Sequence, residues 1–470
     1  MSAELDPNLR SSTRGEREPS TIAGGSALLL SGQLVANAGF FVAVLLIARG
    51  LGPAGRGTIA FITVTALVVG RATKVGVTEA TTVFAAQRAD QRPALLSNLV
   101  LFTFMGGLSG AVVVCGLLFL LGGARPAGVG EIELLILALG VLANGLVVSG
   151  NAFLLGCARI RQRALLTAAA PWIYALLVAL AWEGLGLTVA RAAGAWVTSE
   201  GIWALSLFVV SVRGIGLARP SWQLLRESVS FGVRAWVGSL STFANARADQ
   251  ILIGFIASEA TLGIYAIAVN GAEILLYFPQ ATATALLPAI ARGDPGRRSE
   301  HTLRVFRTVM LLTALGVLTG ALVGAPLLPL LFGSAFQSSV LPFLLLLPGA
   351  LGFTASIVFS NALVASSSPG ASSLGPLVSL ALGLLLDIAL IPSFGATGAA
   401  VASTVAFLAG GITALVAYRV QTGFSWRAVV PGREDIAGLR GLLRRLRRVP
   451  AADGTGTDQG RGCAPSPKRD

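Results

Sequence analysis

The sequence predicts an all-α integral membrane protein of about twelve transmembrane helices, built as two pseudo-symmetric six-helix bundles around a central cavity. Three observations predict it. Of 470 residues, 54% are hydrophobic and only 12% charged, about half the charge of a soluble domain, with a mean hydropathy of +0.77. Apolar stretches long enough to cross a hydrocarbon core of about 30 Å recur along the chain. Each must satisfy its own backbone in lipid, so each is helical. A shift of 206 residues lays the seventh and eighth stretches on the first and second.

In chain order, residues 1–22 are expected to be a disordered cytoplasmic tail, polar and without the short apolar run and cleavage site of a signal peptide. The N-terminal bundle, 23–213, holds spans at 25–47, 57–82, 95–122, 132–156, 164–183 and 192–212. A cytoplasmic linker, 214–227, leads to the C-terminal bundle, 228–420, with spans at 229–256, 262–290, 304–325, 340–364, 371–391 and 396–419. With the N-terminus inside, the inside loops and their edges carry twelve arginines. The outside loops carry four, Arg49, Arg56, Arg125 and Arg191. That is the positive-inside bias, and the even count puts both termini in the cytoplasm. The same bias accounts for the net charge of +13 without a nucleic-acid partner.

The tail, 421–470, is basic. Ile436, Leu439, Leu442, Leu443, Leu446 and Val449 recur at helical spacing among Arg440, Arg444, Arg445, Arg447 and Arg448. This reads as a short amphipathic helix on anionic lipid, or equally as a generic basic anchor. Because the repeat ends near residue 420, the chain beyond Thr422 is expected to be dispensable. Cys115, Cys157 and Cys463 have no paired spacing and indicate neither a disulfide framework nor a metal site.

Under the 206-residue shift Gly32 meets Gly238, Ala38 meets Ala244, Ala54 meets Ala260 and Gly57 meets Gly263. Both copies read as a long helix, a tight turn, then a glycine opening the next helix. Six spans per half give both halves one orientation, so the symmetry axis runs along the membrane normal and a substrate site falls between the halves.

Four stretches carry a family resemblance. Ala48-Arg49-Gly50-Leu51-Gly52-Pro53 through Gly57 resembles the turn between the first two spans of Wzx-type oligosaccharide flippases. These are polysaccharide biosynthesis transporters of the superfamily that also holds MATE exporters. Asp249 to Gly254 with Gly263-Ile264-Tyr265-Ala266 resembles the second-half counterpart of that turn. Leu331-Phe332-Gly333 through Phe336 and Ile391-Pro392 through Ala400 are similar to the motifs before spans 10 and 12. The resemblance runs in order over roughly residues 25–420. It departs at Ala365-Ser366-Ser367-Ser368, where many relatives are basic. It implies alternating access and a cargo of undecaprenyl-pyrophosphate-linked oligosaccharide, flipped from the inner to the outer leaflet of a bacterial plasma membrane. Polysaccharide polymerase and glycosyltransferases are the implied partners.

Candidate site residues follow from depth. Arg71 and Lys74 lie midway between Arg56 and Arg88, so they fall near the bilayer centre, where a charge costs at least about 2.5 kcal/mol and is functional by default. On a continuous helix Arg71, Lys74 and Thr78 share a face. The repeat places Tyr277, Gln280 and Thr284 opposite them, with Glu273 one turn earlier. The stripes read as two cavity walls, basic and polar-acidic, fit to replace the hydration of a pyrophosphate. The competing reading is a structural ion pair, Arg71 with Glu273 or Lys74 with Glu79. Asn245, Arg247, Asp249 and Asp387, with Glu200, are buried candidates either for Na+ or H+ coupling or for ion pairing to Arg247 or Arg71.

No cofactor is expected. Neither lysine, Lys74 or Lys468, sits in the glycine frame of a phosphate-binding loop, and His301 is the sole histidine, which leaves no histidine-based catalysis or metal cluster. A non-enzymatic transporter is therefore expected. The alternatives are a cation-coupled drug exporter, which calls for an acid-dominated cavity, and a glycan polymerase or ligase, which calls for a large outside loop.

Overall fold

The computed structural model describes residues 19–122, 126, 128–292, 298–366, 369–430 and 432. The expected amphipathic tail helix around Leu439–Val449 lies outside the described residues, as do Arg125 and most of the first tail. The first half comprises α1 (Pro19–Ala72), α2 (Val77–Gln87), α3 (Arg92–Leu120), α4 (Glu131–Gly156), α5 (Ile160–Leu185) and α6 (Val189–Ile215). The second comprises α7 (Trp222–Asn245), α8 (Ala248–Ile256), α9 (Glu259–Arg292), α10 (Arg298–Thr319), α11 (Ala325–Phe332), α12 (Val340–Leu346), α13 (Gly349–Ala365), α14 (Pro369–Ser372) and α15 (Leu374–Thr422). Among the described residues there is no strand.

Eight of these segments are long and apolar enough to cross a membrane. Two of them, α1 and α15, are each a pair of helices run together across a kink, at Gly52 (φ 66°) and Gly395 (φ 53°). Residues 334–346 and 349–364, bent by 45°, make one further span. α7 and α8 adjoin at a break at Ala246–Arg247; with them as one span, and α1 and α15 as two each, the described residues accommodate the expected count of about twelve.

One predicted span is not continuous. Span 2 unwinds over Thr73–Gly76, between α1 and α2. Val75 (φ 43°) and Gly76 (φ 84°) both adopt left-handed backbone, a conformation costly for a β-branched residue. Gly76 is required twice over. Besides its φ, a Cβ there would lie 2.2 Å from the Gly232 carbonyl carbon, and a Cβ at Gly232 would lie 1.8 Å from the Gly76 oxygen.

The twelve spans return the chain to the end where α1 begins, called here the near end. At the opposite, far end the halves share one apolar core, in which Ile47, Ile59 and Ile62 pack with Ile253, Tyr265, Phe336 and Ala399. The repeat is visible in atomic detail there. A Cβ on Gly57 would lie 1.8 Å from the Glu259 carbonyl oxygen, and a Cβ on Gly263 would lie 1.9 Å from that of Pro53. Residues 53 and 57 map onto 259 and 263 under the 206-residue shift, so the two contacts are images of each other across the pseudo-two-fold axis. Arg49 adds a latch. Its Nε and Nη2 donate to the carbonyls of Leu331 (2.6 Å) and Leu330 (3.1 Å), the carbonyl-rich end of α11 that favours a cation.

At the near end the halves meet chiefly through α2 and α7. Gly76 touches Gly232, Ser239 Oγ donates to Glu79 (2.7 Å), and Arg88 makes two hydrogen bonds to Glu227. Arg88 and Glu227 lie outside the predicted spans. The hydrogen bond from Arg88 holds the Glu227 carboxyl below the usual carboxylate range. A lowered pKa means the contact is complete above that range and is lost only as pH falls through the lowered value. It is therefore formed at neutral pH.

Two predicted boundaries move. The linker shortens to 216–221, because α7 already begins at Trp222. Its Ser221 exchanges hydrogen bonds with Asn98 of α3 (2.8 and 2.9 Å). The C-terminal bundle extends past residue 420. Phe424 packs against Tyr418 beside Phe359 and Phe306, Arg419 stacks on Trp426 with 4.3 Å to the ring centroid, and Arg307 donates to the Ala428 carbonyl (2.7 Å). These contacts weigh against the expected dispensability beyond Thr422. Truncation after Val430 should leave inserted protein at wild-type levels. Truncation after Thr422 should destabilise it by about 3–5 kcal/mol, the cost of emptying a large aromatic site, as read by thermal unfolding in detergent.

Candidate substrate cavity

A cavity of about 620 Å³ lies in the second half, with Arg71 of the first half at its wall. Its walls come almost entirely from the second half: α7 and α8 supply Ser239, Thr242, Phe243, Arg247 and Asp249, and α9 supplies Tyr265, Glu273 and Gln280. The first half contributes Arg71 alone. Arg71 is the last residue of α1 before the unwound turn, which ends the helix and frees its carbonyl. That carbonyl accepts from Trp236 Nε1 (3.1 Å), fixing the backbone of the turn against α7. The guanidinium lies over Phe243, its Cζ 3.7 Å from the ring centroid, and Nη1 is buried with no hydrogen-bond partner. A buried guanidinium N–H left unbonded costs about 1–3 kcal/mol.

The expected stripe of Arg71, Lys74 and Thr78 is not formed, because the unwound turn ends the helical register. Lys74 is 4% exposed and turns into the first half, donating to the Gly145 carbonyl (2.5 Å) and Ser149 Oγ (3.2 Å). It pins the turn to α4 and does not line the cavity. Thr78 is also buried away from it. Neither proposed structural pair exists among the described residues. Glu79 accepts from Ser239, and Glu273 bonds Arg247 through both guanidinium nitrogens. On the opposite wall Glu273 and Gln280 line the cavity as expected; the side chains of Tyr277 and Thr284 lie outside the described residues. Glu200, from α6, accepts from Asn144 (3.0 Å) and stands apart from the cavity lining.

Behind the cavity wall is a second polar cluster. Asp249 is 7% exposed and accepts from Tyr265 Oη (2.5 Å), Ser403 Oγ (3.2 Å) and its neighbour Gln250 N (2.7 Å). Arg247 nearby forms its salt bridge with Glu273. Asp387 is 3% exposed, and its Oδ1 has no partner. The two carboxylates, with Asn245 and Ser403, line a pocket of about 10 Å³, room for about one water-sized guest. Asn245 and Ser379 are mutually hydrogen-bonded at its edge (3.1 Å). Sequence reasoning missed Tyr265 and Ser403 as partners of Asp249. Tyr265 was within reach, since it stands in the same resemblance motif as the aspartate.

Comparisons with known proteins place the chain in a family and a fold. Residues 46–341 match the family model described as polysaccharide biosynthesis protein. Two curated Haloferax volcanii proteins are similar to the chain: the probable low-salt glycan biosynthesis flippase Agl15, 25% identical over 236 residues (49% of this chain and 48% of the relative), and the probable flippase AglR, 25% identical over 222 residues (46% and 45%). These matches span about half the length of either relative. Among solved structures, the lipid II flippase MurJ in an inward closed conformation aligns over 92% of this chain and 94% of its own, with a TM-score of 0.71 and 13% identity. An inward-facing multidrug resistance MATE transporter of the MOP superfamily aligns over 84% and 98%, with a TM-score of 0.63 and 14% identity. The shared feature is a multi-helix fold.

Proposed function

Because the chain belongs to the polysaccharide biosynthesis protein family, we propose that it is a flippase moving a polyprenyl-pyrophosphate-linked oligosaccharide across the membrane by alternating access. The observation that carries this reading is Arg71, the one first-half residue that lines the cavity and a guanidinium with no carboxylate partner among the described residues. A pyrophosphate supplies the acceptors that such a fork needs, and the oligosaccharide's hydroxyls need the polar wall of Ser239, Thr242, Glu273 and Gln280. In this reading the chain transports and catalyses no reaction. The near end faces the cytoplasm with both termini, by the arginine bias of the loops. The curated relatives are archaeal, so a bacterial plasma membrane, an undecaprenyl carrier, glycosyltransferases and a polymerase as partners, and anionic lipid at the tail belong to the proposal.

One observation favours a MATE-type cationic-drug exporter, namely the carboxylates Asp249 and Asp387. Asp387 lines only the pocket with room for about one water-sized guest, too little for a drug, and Asp249 is held by Tyr265, Ser403 and Gln250, so we assign the pair to coupling by a proton or a monovalent cation. Asp387→Asn should then lower transport about tenfold, within the usual range of coupling energies, and abolish its dependence on the ion gradient. An unchanged gradient dependence would remove the pocket from the mechanism.

The function is tested by ligand stabilisation. Undecaprenyl pyrophosphate should raise the unfolding temperature of purified protein in proportion to the logarithm of its concentration, while undecaprenol and cationic dyes should not. Equal stabilisation by the uncharged alcohol would contradict an anion-binding cavity.

A further inference from the structure

We infer that Glu273 is a specificity-determining residue, an internal competitor for Arg247 that admits a dianionic pyrophosphate to the cavity and refuses monoanionic phospholipid headgroups. This rests on the flippase reading and deepens it.

The cavity presents two guanidinium groups of different standing. Arg71 comes from the first half and has an unbonded buried Nη1. Arg247 sits at the break between α7 and α8 and is engaged by Glu273 of α9, Nη1 on Oε1 and Nη2 on Oε2, the second at 3.3 Å. The Arg247 and Glu273 side chains are 21% and 24% exposed, so the pair is open to the cavity. Both residues belong to the second half, so their pair ties no half to the other. A ligand spanning Arg71 and Arg247 would add a tie across the cavity to those made by Trp236, Ser239 and Arg88.

A cavity serving a lipid-linked cargo must admit a lipid headgroup from a membrane in which phosphodiesters vastly outnumber the cargo. Two uncovered guanidinium groups would fill with those headgroups. Glu273 prevents this by occupying Arg247 intramolecularly, at an effective concentration no dilute ligand matches. A single phosphodiester charge can meet Arg71. To take Arg247 as well it must expel a carboxylate that already makes forked, charge-assisted hydrogen bonds, exchanging one such contact for another. A pyrophosphate brings two phosphoryl groups. One meets Arg71 while the other displaces Glu273, and the released carboxylate is hydrated by the wet cavity. The discrimination comes from a built-in rival that the wrong ligand cannot outbid. The acidic wall predicted from sequence thus acts on the opposing arginine rather than on the sugar.

The test measures binding of undecaprenyl pyrophosphate to purified protein in detergent, with phosphatidylglycerol as competitor. Wild type should prefer the pyrophosphate strongly. In Glu273→Gln, phosphatidylglycerol should compete about tenfold better, the free-energy equivalent of about 1.4 kcal/mol, so the preference narrows by that factor. Glu273→Asp keeps the charge on a shorter arm and should fall between the two, which keeps the test decisive if the glutamine variant is poorly folded. If both variants retain the wild-type preference, the inference fails while the flippase reading stands. If wild type binds neither lipid, the flippase reading fails with it.

Discussion

Arg71→Ala should reduce transport by roughly a hundredfold, the effect expected when one member of a desolvated charge pair is truncated, with inserted protein near wild-type levels. The residue is held by features that a ligand-binding role requires and a structural ion pair does not. Its carbonyl is anchored by Trp236, its guanidinium lies on Phe243, and one N–H remains unbonded. Arg71→Lys should keep part of the activity, because an ammonium supplies charge but not two fixed, parallel donors. The lipid-linked glycan should accumulate in the leaflet where it is made. Since Glu273 bonds Arg247, the double variant Arg71→Ala with Glu273→Ala should not recover transport. Recovery of both transport and protein level would show that Arg71 serves only to balance a carboxylate.

Gly57→Val should be the most damaging single change at the far end. Even the first atom of a side chain at 57 would lie 1.8 Å from the Glu259 carbonyl oxygen, and the obstacle is backbone. Overpacking of this kind costs about 1–3 kcal/mol or more. Here it falls on the contact where the two halves cross, so the response should be separation of the halves. Leu262, 1% exposed beside this crossing, should become reactive to a membrane-impermeant thiol reagent when carried as Leu262→Cys in the Gly57→Val background. Gly263→Val should have the same effect, because its contact with Pro53 is the symmetric image. Unequal effects of the two substitutions would contradict the pseudo-symmetry.

The parts of the fold that hydrocarbon dictates were legible in the sequence. Any segment crossing lipid must be apolar and helical, so composition alone located the spans. The 206-residue shift aligned Gly57 with Gly263 as equivalents, and the structure sets the two against each other. The breaks were harder to read. Span 2 carries no proline, and only Gly76 among β-branched neighbours hinted that the helix stops. The reason it stops is Gly232, more than a hundred residues away in sequence. Missing that break placed Lys74 and Thr78 in the cavity, whereas Lys74 is committed to Gly145 and Ser149 on α4. Depth singled out Arg71 and the repeat register singled out Glu273, and both line the cavity, but neither signal chooses partners. Glu273 found Arg247, and Asp249 found Tyr265 and Ser403, through contacts that only the packing of α8, α9 and α15 creates. Phe424 and Trp426 read as tail because the hydropathic pattern ends before them, yet they complete an aromatic cluster that begins at Phe306 on α10.

The most direct measurement is translocation itself. Purified protein in sealed vesicles, loaded on one leaflet with a fluorescent polyprenyl-pyrophosphate-linked oligosaccharide, should move the label to the other leaflet, where a membrane-impermeant quencher can reach it. The account predicts transfer with wild type, loss with Arg71→Ala, and no transfer of the same glycan on an uncharged polyprenyl carrier. Transfer of the uncharged carrier at the wild-type rate, or unimpaired transfer by Arg71→Ala, would contradict it.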